Sequence, residues 1–134
     1  MKPGILITTL ALVFAPLLTH AAEPAAGTAL DGVELKELLV GKTADCVKEK
    51  DQSTCVNYFA PDGNFFQVRD SGKRKTGRWF VDDSNRTCLL WDGKIKPLCF
   101  TVQETESGHY QFIKGGKLKS TITALTEGNR DNLE

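Results

Sequence analysis

Among the residues able to do acid–base chemistry, carboxylates are plentiful in this 134-residue chain, with 17 Asp+Glu, whereas histidine is rare. After the first 22 residues, His109 is the only histidine, and no catalytic motif surrounds it. Paired carboxylates, which act as acid and base in glycosidases, occur at Asp82 with Asp83 and at Glu104 with Glu106. Both pairs lie in predicted turns, where acidic residues are common for conformational reasons. We therefore predict a protein that is not an enzyme, with no catalytic residue and no cofactor.

The four cysteines of the chain predict two disulfides rather than a metal site. Cys46 and Cys55 flank a polar segment, and Cys88 and Cys99 flank a turn at Asp92-Gly93-Lys94. Each pair can therefore lie across a hairpin from itself, which predicts Cys46–Cys55 and Cys88–Cys99. Loops this short stabilise a fold by roughly 2–3 kcal/mol each. No C-x-x-C motif or neighbouring histidine supports a metal ligand set.

A cluster of basic residues is the most distinctive charge feature. The segment 69–78 surrounds one predicted turn with five of them, and a second group lies near residues 114–119. A basic hairpin favours contact with an acidic protein or an anionic envelope polymer. The alternative is a solvated turn whose charges prevent edge-to-edge aggregation. The candidate anionic-partner patch comprises Arg69, Lys73, Arg74, Lys75 and Arg78, and the second group comprises Lys114, Lys117 and Lys119.

Residues 1–22 have the three parts of a secretory signal peptide. Lys2 supplies the positive start, Ile5–Leu18 the apolar run, and Ala21 or Ala22 the cleavage site. The competing interpretation is a retained membrane anchor, for which the apolar run is short. We predict a periplasmic or secreted mature protein, with residues 23–29 as a flexible leader.

The composition excludes several other classes. The whole chain has 17 Lys+Arg and 17 Asp+Glu. Removal of residues 1–22 takes away Lys2 and leaves 16 basic against 17 acidic residues, a net charge near −1. A nucleic-acid binder normally has a basic surplus, and no second apolar run is long enough to span a membrane. A small exported globular domain remains.

The domain begins with one short helix. Asp31 and Glu34 have the spacing of a capping box, and Leu30 and Leu35 occupy the two hydrophobic-staple positions. Gly41 suits the end of the helix. A helix of about nine residues is unstable alone, so it must dock on an apolar surface.

Strands and turns follow, at a spacing of about ten residues. The pattern predicts a mainly β domain over residues 30–126 and a flexible C-terminal tail over 127–134. Eight antiparallel strands in an up-and-down meander favour a small closed barrel, since closure removes exposed edges; a β-sandwich is the alternative. The predicted strands are Thr43–Lys48, Thr54–Ala60, Asn64–Arg69, Thr76–Val81, Arg86–Trp91, Pro97–Gln103, His109–Lys114 and Leu118–Leu125.

Alternation along the strands predicts the core. If Cys88 pairs with Cys99, Leu89 faces Leu98 and the disulfide lies on the outer face. Phe66 and Val68 share one face of their strand and are also expected inside. An eight-stranded barrel is either filled or holds one small ligand. The residues of a possible ligand cavity are Phe66, Trp79, Trp91, Phe100, Tyr110 and Phe112.

The order of five short motifs resembles a known family. They are Leu38–Thr43, Tyr58–Gly63, Gly77-Arg78-Trp79, Cys88–Trp91 and Cys99. This pattern is similar to that of small exported proteobacterial proteins catalogued as a domain of unknown function, over residues 30 to about 125. The resemblance implies a β-rich extracytoplasmic domain with the later two cysteines paired, and it implies no activity. Gly77-Arg78-Trp79 also looks like the G-x-W of lipocalins, although on about the fourth strand rather than the first.

Two functional hypotheses follow. The first is a non-enzymatic periplasmic or secreted binding module, inhibitor-like, which acts on a protein or an envelope polymer. The second is a lipocalin-like carrier of a small apolar ligand in the barrel. We predict no nucleic-acid partner, no metal and no membrane span in the mature chain.

Overall fold

The computed structural model describes Gly4 and residues 27–134. The predicted signal peptide and most of the predicted leader lie outside these residues, apart from Gly4 and the leader's last three. Ala29 pairs with Gln103 in a single antiparallel bridge. The elements are α1 (Gly32–Leu39), β1 (Lys42–Lys48), β2 (Thr54–Phe59), β3 (Asn64–Arg69), β4 (Arg74–Val81), β5 (Thr87–Trp91), β6 (Leu98–Glu104), β7 (Tyr110–Lys114) and β8 (Lys117–Glu127).

The eight strands form one closed antiparallel barrel in chain order. Each strand pairs with the next, and β1 pairs with β8 to close the ring. The mainly β meander predicted from the sequence is confirmed, as a barrel rather than a sandwich. Short turns between neighbouring strands account for the simple order, because tight turns allow only antiparallel neighbours.

Helix α1 covers one end of this barrel. The capping box forms as predicted: the Glu34 backbone N–H donates to Asp31 Oδ1 at 2.9 Å, and the Asp31 N–H donates to Glu34 Oε1 at 3.1 Å. Leu35 and Leu39 are both fully buried against the barrel core. We call this covered side the closed end of the barrel.

The core beneath the helix is aromatic. Phe59 lies 5.0 Å from Phe65 and 5.3 Å from Trp79 between ring centroids, the second pair edge to face. Phe100 and Phe112 form another pair at 5.8 Å. Such rings bury large apolar areas and prefer these offset or edge-on geometries. Together with Leu35 and Leu39 of α1, these rings belong to one buried cluster.

One core prediction is wrong. The inward face of β3 carries Phe65 and Gln67, which are 0 % and 6 % exposed. Phe66 and Val68 point outward and pack in a separate cluster with Tyr58 and others. The adjacent phenylalanines make the alternation ambiguous, and the pairing of Phe59 with Phe65 sets the register.

The C-terminal segment, expected to be a flexible tail, covers this outer cluster. Leu133 is 7 % exposed and packs against it. Arg130 donates two hydrogen bonds to the Asp45 carboxylate, at 2.8 and 2.9 Å. The Gly128 N–H donates to the Gly41 carbonyl oxygen at 2.8 Å. Residues after β8 therefore act as a specific outer layer over β2 and β3.

Both predicted disulfides are present. Cys46–Cys55 joins directly paired residues of β1 and β2, and Cys88–Cys99 joins paired residues of β5 and β6. Leu89 faces Leu98, as the sequence predicts. The second disulfide lies on the outer face beside the inward Leu89, whereas the first lies in the interior.

The sequence motifs around Pro61 and Trp79 meet in space. The Trp79 Nε1–H donates to the Ala60 carbonyl oxygen at 2.9 Å, and the Trp79 N–H donates to that of Gly63 at 2.9 Å. Gly77 allows β5 to approach closely, because an added Cβ would collide with the Leu90 carbonyl oxygen. These motifs therefore have a structural role at the closed end of the barrel.

Candidate functional site: a basic mouth over an internal cavity

The uncovered end of the barrel carries most of the positive charge of the protein. It is formed by segments 48–53, 69–75, 92–97 and 114–119, which we call the basic mouth. These segments hold eleven basic and four acidic residues, a net charge of +7. The basic residues are Lys48, Lys50, Arg69, Lys73, Arg74, Lys75, Lys94, Lys96, Lys114, Lys117 and Lys119; the acidic ones are Glu49, Asp51, Asp70 and Asp92.

The rest of residues 27–134 has the opposite sign. Removing Lys2, Glu23 and the mouth from the whole-chain totals leaves five basic and twelve acidic residues, a net charge of −7. The overall neutrality therefore conceals two oppositely charged ends. The field at the mouth is that of a concentrated positive patch, which attracts anions over distances of about a Debye length.

The basic residues of the mouth form no ion pair with another described residue. The ion pairs between described residues join Lys42 to Glu127, Arg86 to Asp82, and Arg130 to Asp45 and Asp131. All of these lie outside the mouth. Among the described residues, no lysine or arginine of the mouth therefore lies within ion-pair distance of a carboxylate.

The pKa values of two lysines of the mouth are lowered by burial and by this crowding of like charges. Partial burial lowers the pKa of Lys48, and the charges of Arg69 and Lys75 lower it further. Partial burial also lowers the pKa of Lys75, with further lowering by Arg69, Lys73 and Lys94. Both amines are thus disfavoured in their charged form, and a bound anion would reverse that effect.

A cavity of about 150 Å³ opens inside the mouth. Its apolar wall includes Leu89, Trp91, Phe100 and Phe112. Two lysines of the mouth, Lys48 and Lys119, also line it. The Lys75 Nζ lies 5.0 Å from the centroid of the Trp91 ring. The cavity therefore combines aromatic walls with a cationic entrance.

The inner part of this cavity is polar. Gln67 Nε2 donates to Asn57 Oδ1 at 2.8 Å, and Asn57 Nδ2 lies 3.4 Å from Cys46 Sγ. Gln67 Oε1 is buried and has no hydrogen-bond partner among the described residues. The Nε of Arg69, two residues along the same strand, is also buried without a partner. An unsatisfied buried polar atom is costly, so either atom would be stabilised by an additional hydrogen-bond partner.

Four of the five residues of the predicted anionic-partner patch lie in the mouth. Arg69 ends β3, Lys73 lies in the turn that follows, and Arg74 begins β4. Lys75 lies over the Trp91 ring. Arg78 does not belong with them, which corrects the prediction. Its guanidinium donates to the Asp62 carbonyl oxygen and to Asn64 Oδ1, because β4 carries it toward the closed end.

The predicted cavity residues are divided by the fold. Trp91, Phe100 and Phe112 line the cavity. Trp79 fills the core beneath the helix, and Tyr110 lies with α1 and Glu104 at the closed end. Phe66 is on the outer face, as described above.

The sequence prediction missed Gln67, Asn57 and Lys48. Gln67 alternates with Phe65 and Arg69 on one face of β3, and that alternation is the only sequence signal for it. Asn57 alternates in the same way with Cys55 and Phe59 on one face of β2. If the sequence had shown that the Cys46–Cys55 disulfide lies inside the barrel, Asn57 would have been predicted to point inward as well.

One other cluster has metal-ligating residue types. Asp82, Cys88 and Cys99 lie close together, and Asp82 Oδ2 is 3.7 Å from Cys88 Sγ. The two sulfurs are bonded to each other, so neither is a thiolate able to bind a metal. The carboxylate of Asp82 is instead paired with Arg86, which lowers its pKa against the opposing effect of partial burial.

No helix among the described residues is long and apolar enough to cross a membrane. The two disulfides are consistent with an oxidising compartment outside the cytoplasm. Comparison with family models, curated proteins and solved structures found no match to this chain. The resemblance to the exported proteobacterial family therefore stays a prediction.

Proposed function

We propose that this protein is a non-enzymatic, extracytoplasmic binding module that docks its basic mouth on an acidic partner protein. The observation that supports this most strongly is the concentration of eleven basic residues against four acidic ones at one end of the barrel. Unpaired like charges destabilise a fold by mutual repulsion. An acidic partner would relieve that repulsion and would also be steered to the mouth.

The loop between β5 and β6 supports a protein partner over a polymer. Ile95 at this loop is 92 % exposed and lies between Lys94 and Lys96. The Cys88–Cys99 disulfide joins the two strands at the base of the loop. Protein interfaces typically combine an apolar anchor with a polar rim, and a loop held in place loses less entropy on binding. A polyanionic polymer offers no pocket for such an anchor.

The carrier of a purely apolar ligand has less support. The cavity of about 150 Å³ is small, and Lys48, Asn57 and Gln67 are among its lining residues. An enzyme also has less support. His109 lies in the turn before β7, at the closed end of the barrel, whereas this cavity opens at the basic mouth.

Retention on immobilised poly-L-glutamate tests the electrostatic part of the proposal. We expect the wild-type chain to bind in 20 mM salt and to elute well below 0.5 M, because screening lengths shorten as salt rises. A variant with Lys73→Gln, Arg74→Gln, Lys94→Gln and Lys96→Gln should elute at lower salt. The matched control carries Lys36→Gln, Lys42→Gln, Arg78→Gln and Arg86→Gln at the acidic end. Equal elution of the two variants would refute the proposal.

A photoreactive side chain at position 95 tests the protein partner. Crosslinking in the producing cells should give a protein adduct with an acidic surface, and the four-site mouth variant should lose it. Adducts with polysaccharide alone, or an adduct that survives neutralisation of the mouth, would contradict docking on an acidic protein.

A further inference from the structure

The exposed apolar side chains of the barrel lie at its two ends. Five large hydrophobic side chains are exposed among the described residues. Ile95 and Leu98 belong to the β5–β6 loop and the start of β6, at the basic mouth. Val33 and Val40 are in α1 and at its C-terminal end, and Phe80 is near the end of β4, all at the closed end. Exposed apolar groups that cluster mark interaction surfaces, so each end of the barrel offers one.

An apolar groove lies beside the exposed side chains of the closed end. Its volume is about 490 Å³, and Val40, Pro61, Phe80 and Val81 are among the residues that line it. The C-terminal end of α1, the β2–β3 turn and the last residues of β4 form its walls. An aliphatic side chain that enters this groove leaves water, which is favourable in proportion to the apolar area removed.

The charged residues beside the groove are mostly acidic. Glu37 and Asp62 line it together with one basic residue, Lys36. The β4–β5 turn, which follows the groove along the chain, begins with Asp82 and Asp83. The groove belongs to the part of residues 27–134 that has a net charge of −7. It therefore has apolar walls and an acidic surround.

The β5–β6 loop at the opposite end has the complementary arrangement. Ile95 is almost fully exposed, and Lys94 and Lys96 flank it. The loop is part of the basic mouth, whose net charge is +7. An apolar anchor surrounded by positive charge thus matches an apolar groove surrounded by negative charge, which is the combination that gives protein interfaces both affinity and orientation.

Electrostatics favours one arrangement of two copies of this chain. A contact between two mouths brings together two surfaces of net charge +7, and a contact between two closed ends brings together two acidic surfaces, so both arrangements are repulsive. Only a contact of a mouth with a closed end joins opposite charges. Such a contact leaves one mouth and one groove free, so it can repeat along a row of copies.

We propose that the acidic partner of the basic mouth is a second copy of this chain, bound head to tail. Ile95 of one copy enters the groove of the next, between Val40, Pro61 and Phe80. Lys94 then faces the acidic surround of that groove. This inference rests on the proposed function, because it names the protein on which the mouth docks.

Sedimentation velocity of the purified protein over a range of concentrations tests the self-association. In about 20 mM salt, the mass should rise with concentration beyond that of a dimer, and in about 0.5 M salt it should return to that of the monomer, because salt screens the charges of both ends. A protein that stays monomeric in low salt up to roughly millimolar concentration would overturn the proposal.

Two single substitutions block the two surfaces separately. Ile95→Asp places a carboxylate against the acidic groove, and Phe80→Asp places one inside the groove. Each should weaken self-association on the order of tenfold or more. The matched control is Ser71→Asp, which adds the same charge to another turn of the mouth and should associate nearly as wild type.

An equimolar mixture of the two blocked variants is the sharper test. The unaltered mouth of Phe80→Asp meets the unaltered groove of Ile95→Asp, so the mixture should form dimers with wild-type affinity and nothing longer. A mixture that stays monomeric would refute the pairing of these two surfaces. If Phe80→Asp fails to fold, the comparison of Ile95→Asp with Ser71→Asp still decides, since equal self-association of those two would exclude Ile95 as the anchor.

A photoreactive side chain at position 95 of the purified protein locates the contact. It should give an adduct of twice the chain mass, joined to the α1 end, the β2–β3 turn or the end of β4 of the second copy. An adduct joined to the mouth or to the barrel wall would contradict the head-to-tail arrangement.

Retention on poly-L-glutamate separates this inference from the proposed function. A protein that is retained there in low salt, yet is monomeric under the same conditions, would refute the second copy as partner while docking on another acidic protein stands. Loss of both retention and self-association would refute both proposals.

Discussion

Replacement of Lys48 by methionine should stabilise the protein while removing a charge from its basic mouth. Lys48 is partly buried, and its pKa is lowered by burial and by the charges of Arg69, Lys75 and Lys50, with Asp51 opposing them. Methionine keeps the apolar stem, which is the part of a lysine that packs. The variant therefore removes repulsion without opening a gap.

The magnitude follows from the strand spacing. Lys48 on β1 and Arg69 on β3 are two strands apart, roughly 10 Å. A like-charge pair at that distance repels by about 0.4 kcal/mol at the dielectric constant of water and about 1.7 kcal/mol at an effective value of 20. With the opposing carboxylate and partial screening, we expect a gain of about 1 kcal/mol at low salt. For a domain of this size the gain corresponds to a rise in Tm of about 4–8 °C.

The assay is thermal and urea unfolding of Lys48→Met and of a matched variant, Lys36→Met. Lys36 is in the last turn of α1 at the acidic end, where a positive charge complements the helix dipole. Lys36→Met should therefore lose stability, by about 0.3–1 kcal/mol. In 1 M salt, where the Debye length is about 3 Å, most of both effects should disappear.

The pH dependence of the free energy of unfolding gives an independent test of this reasoning. The folded-state pKa of Lys48 lies below its ordinary value, so on raising pH the folded protein loses this proton before the unfolded chain does. The unfolded state then binds more protons, and stability rises with pH in that window. The advantage of Lys48→Met over wild type should therefore narrow as pH rises toward 10.5. A destabilised Lys48→Met variant, or an advantage that does not depend on salt or pH, would refute the electrostatic reasoning.

Two further predictions concern the scaffold that holds the mouth. Gly77→Ala should destabilise the barrel by about 1–3 kcal/mol, as measured by urea unfolding. The new Cβ would lie 3.0 Å from Trp91 Cα and would collide with the Leu90 carbonyl oxygen. A loss below about 0.5 kcal/mol would contradict this close approach, because it would mean that β5 moves away at little cost. Deletion of residues 129–134 should cost about 1.5–3 kcal/mol through loss of the buried Leu133 side chain alone, and should increase dye binding to the uncovered Phe66; an unchanged urea midpoint would contradict the packing of the tail.

Local features of the fold were predictable from the sequence because local patterns dictate them. The capping box of Asp31 with Glu34 involves a single turn, and each disulfide closes one hairpin. The register of Leu89 with Leu98 follows from the Cys88–Cys99 pair, since neighbours of a bonded pair must also face each other. The up-and-down order follows from the tight turns between strands.

The face of β3 was not predictable, because Phe65 and Phe66 are adjacent and either can be the inward residue. Only the tertiary structure decides between them: Phe59 pairs with the inward Phe65, and Leu133, sixty-seven positions after Phe66, covers the outward cluster. A sequence pattern read strand by strand does not contain those contacts.

The basic mouth shows most clearly which features the sequence determines and which only the tertiary structure decides. The sequence by itself determined that basic residues surround the turn at 70–73 and that others follow at 114–119, since charge clusters are visible in one dimension. Barrel closure alone decided that four separate turns meet at one end, that Arg78 is directed away from it, and that Gln67 lies beneath it. Strands of alternating direction return every second turn to the same end of a barrel, so a chain with no net charge acquires a positive mouth and a negative base only when the ring is closed.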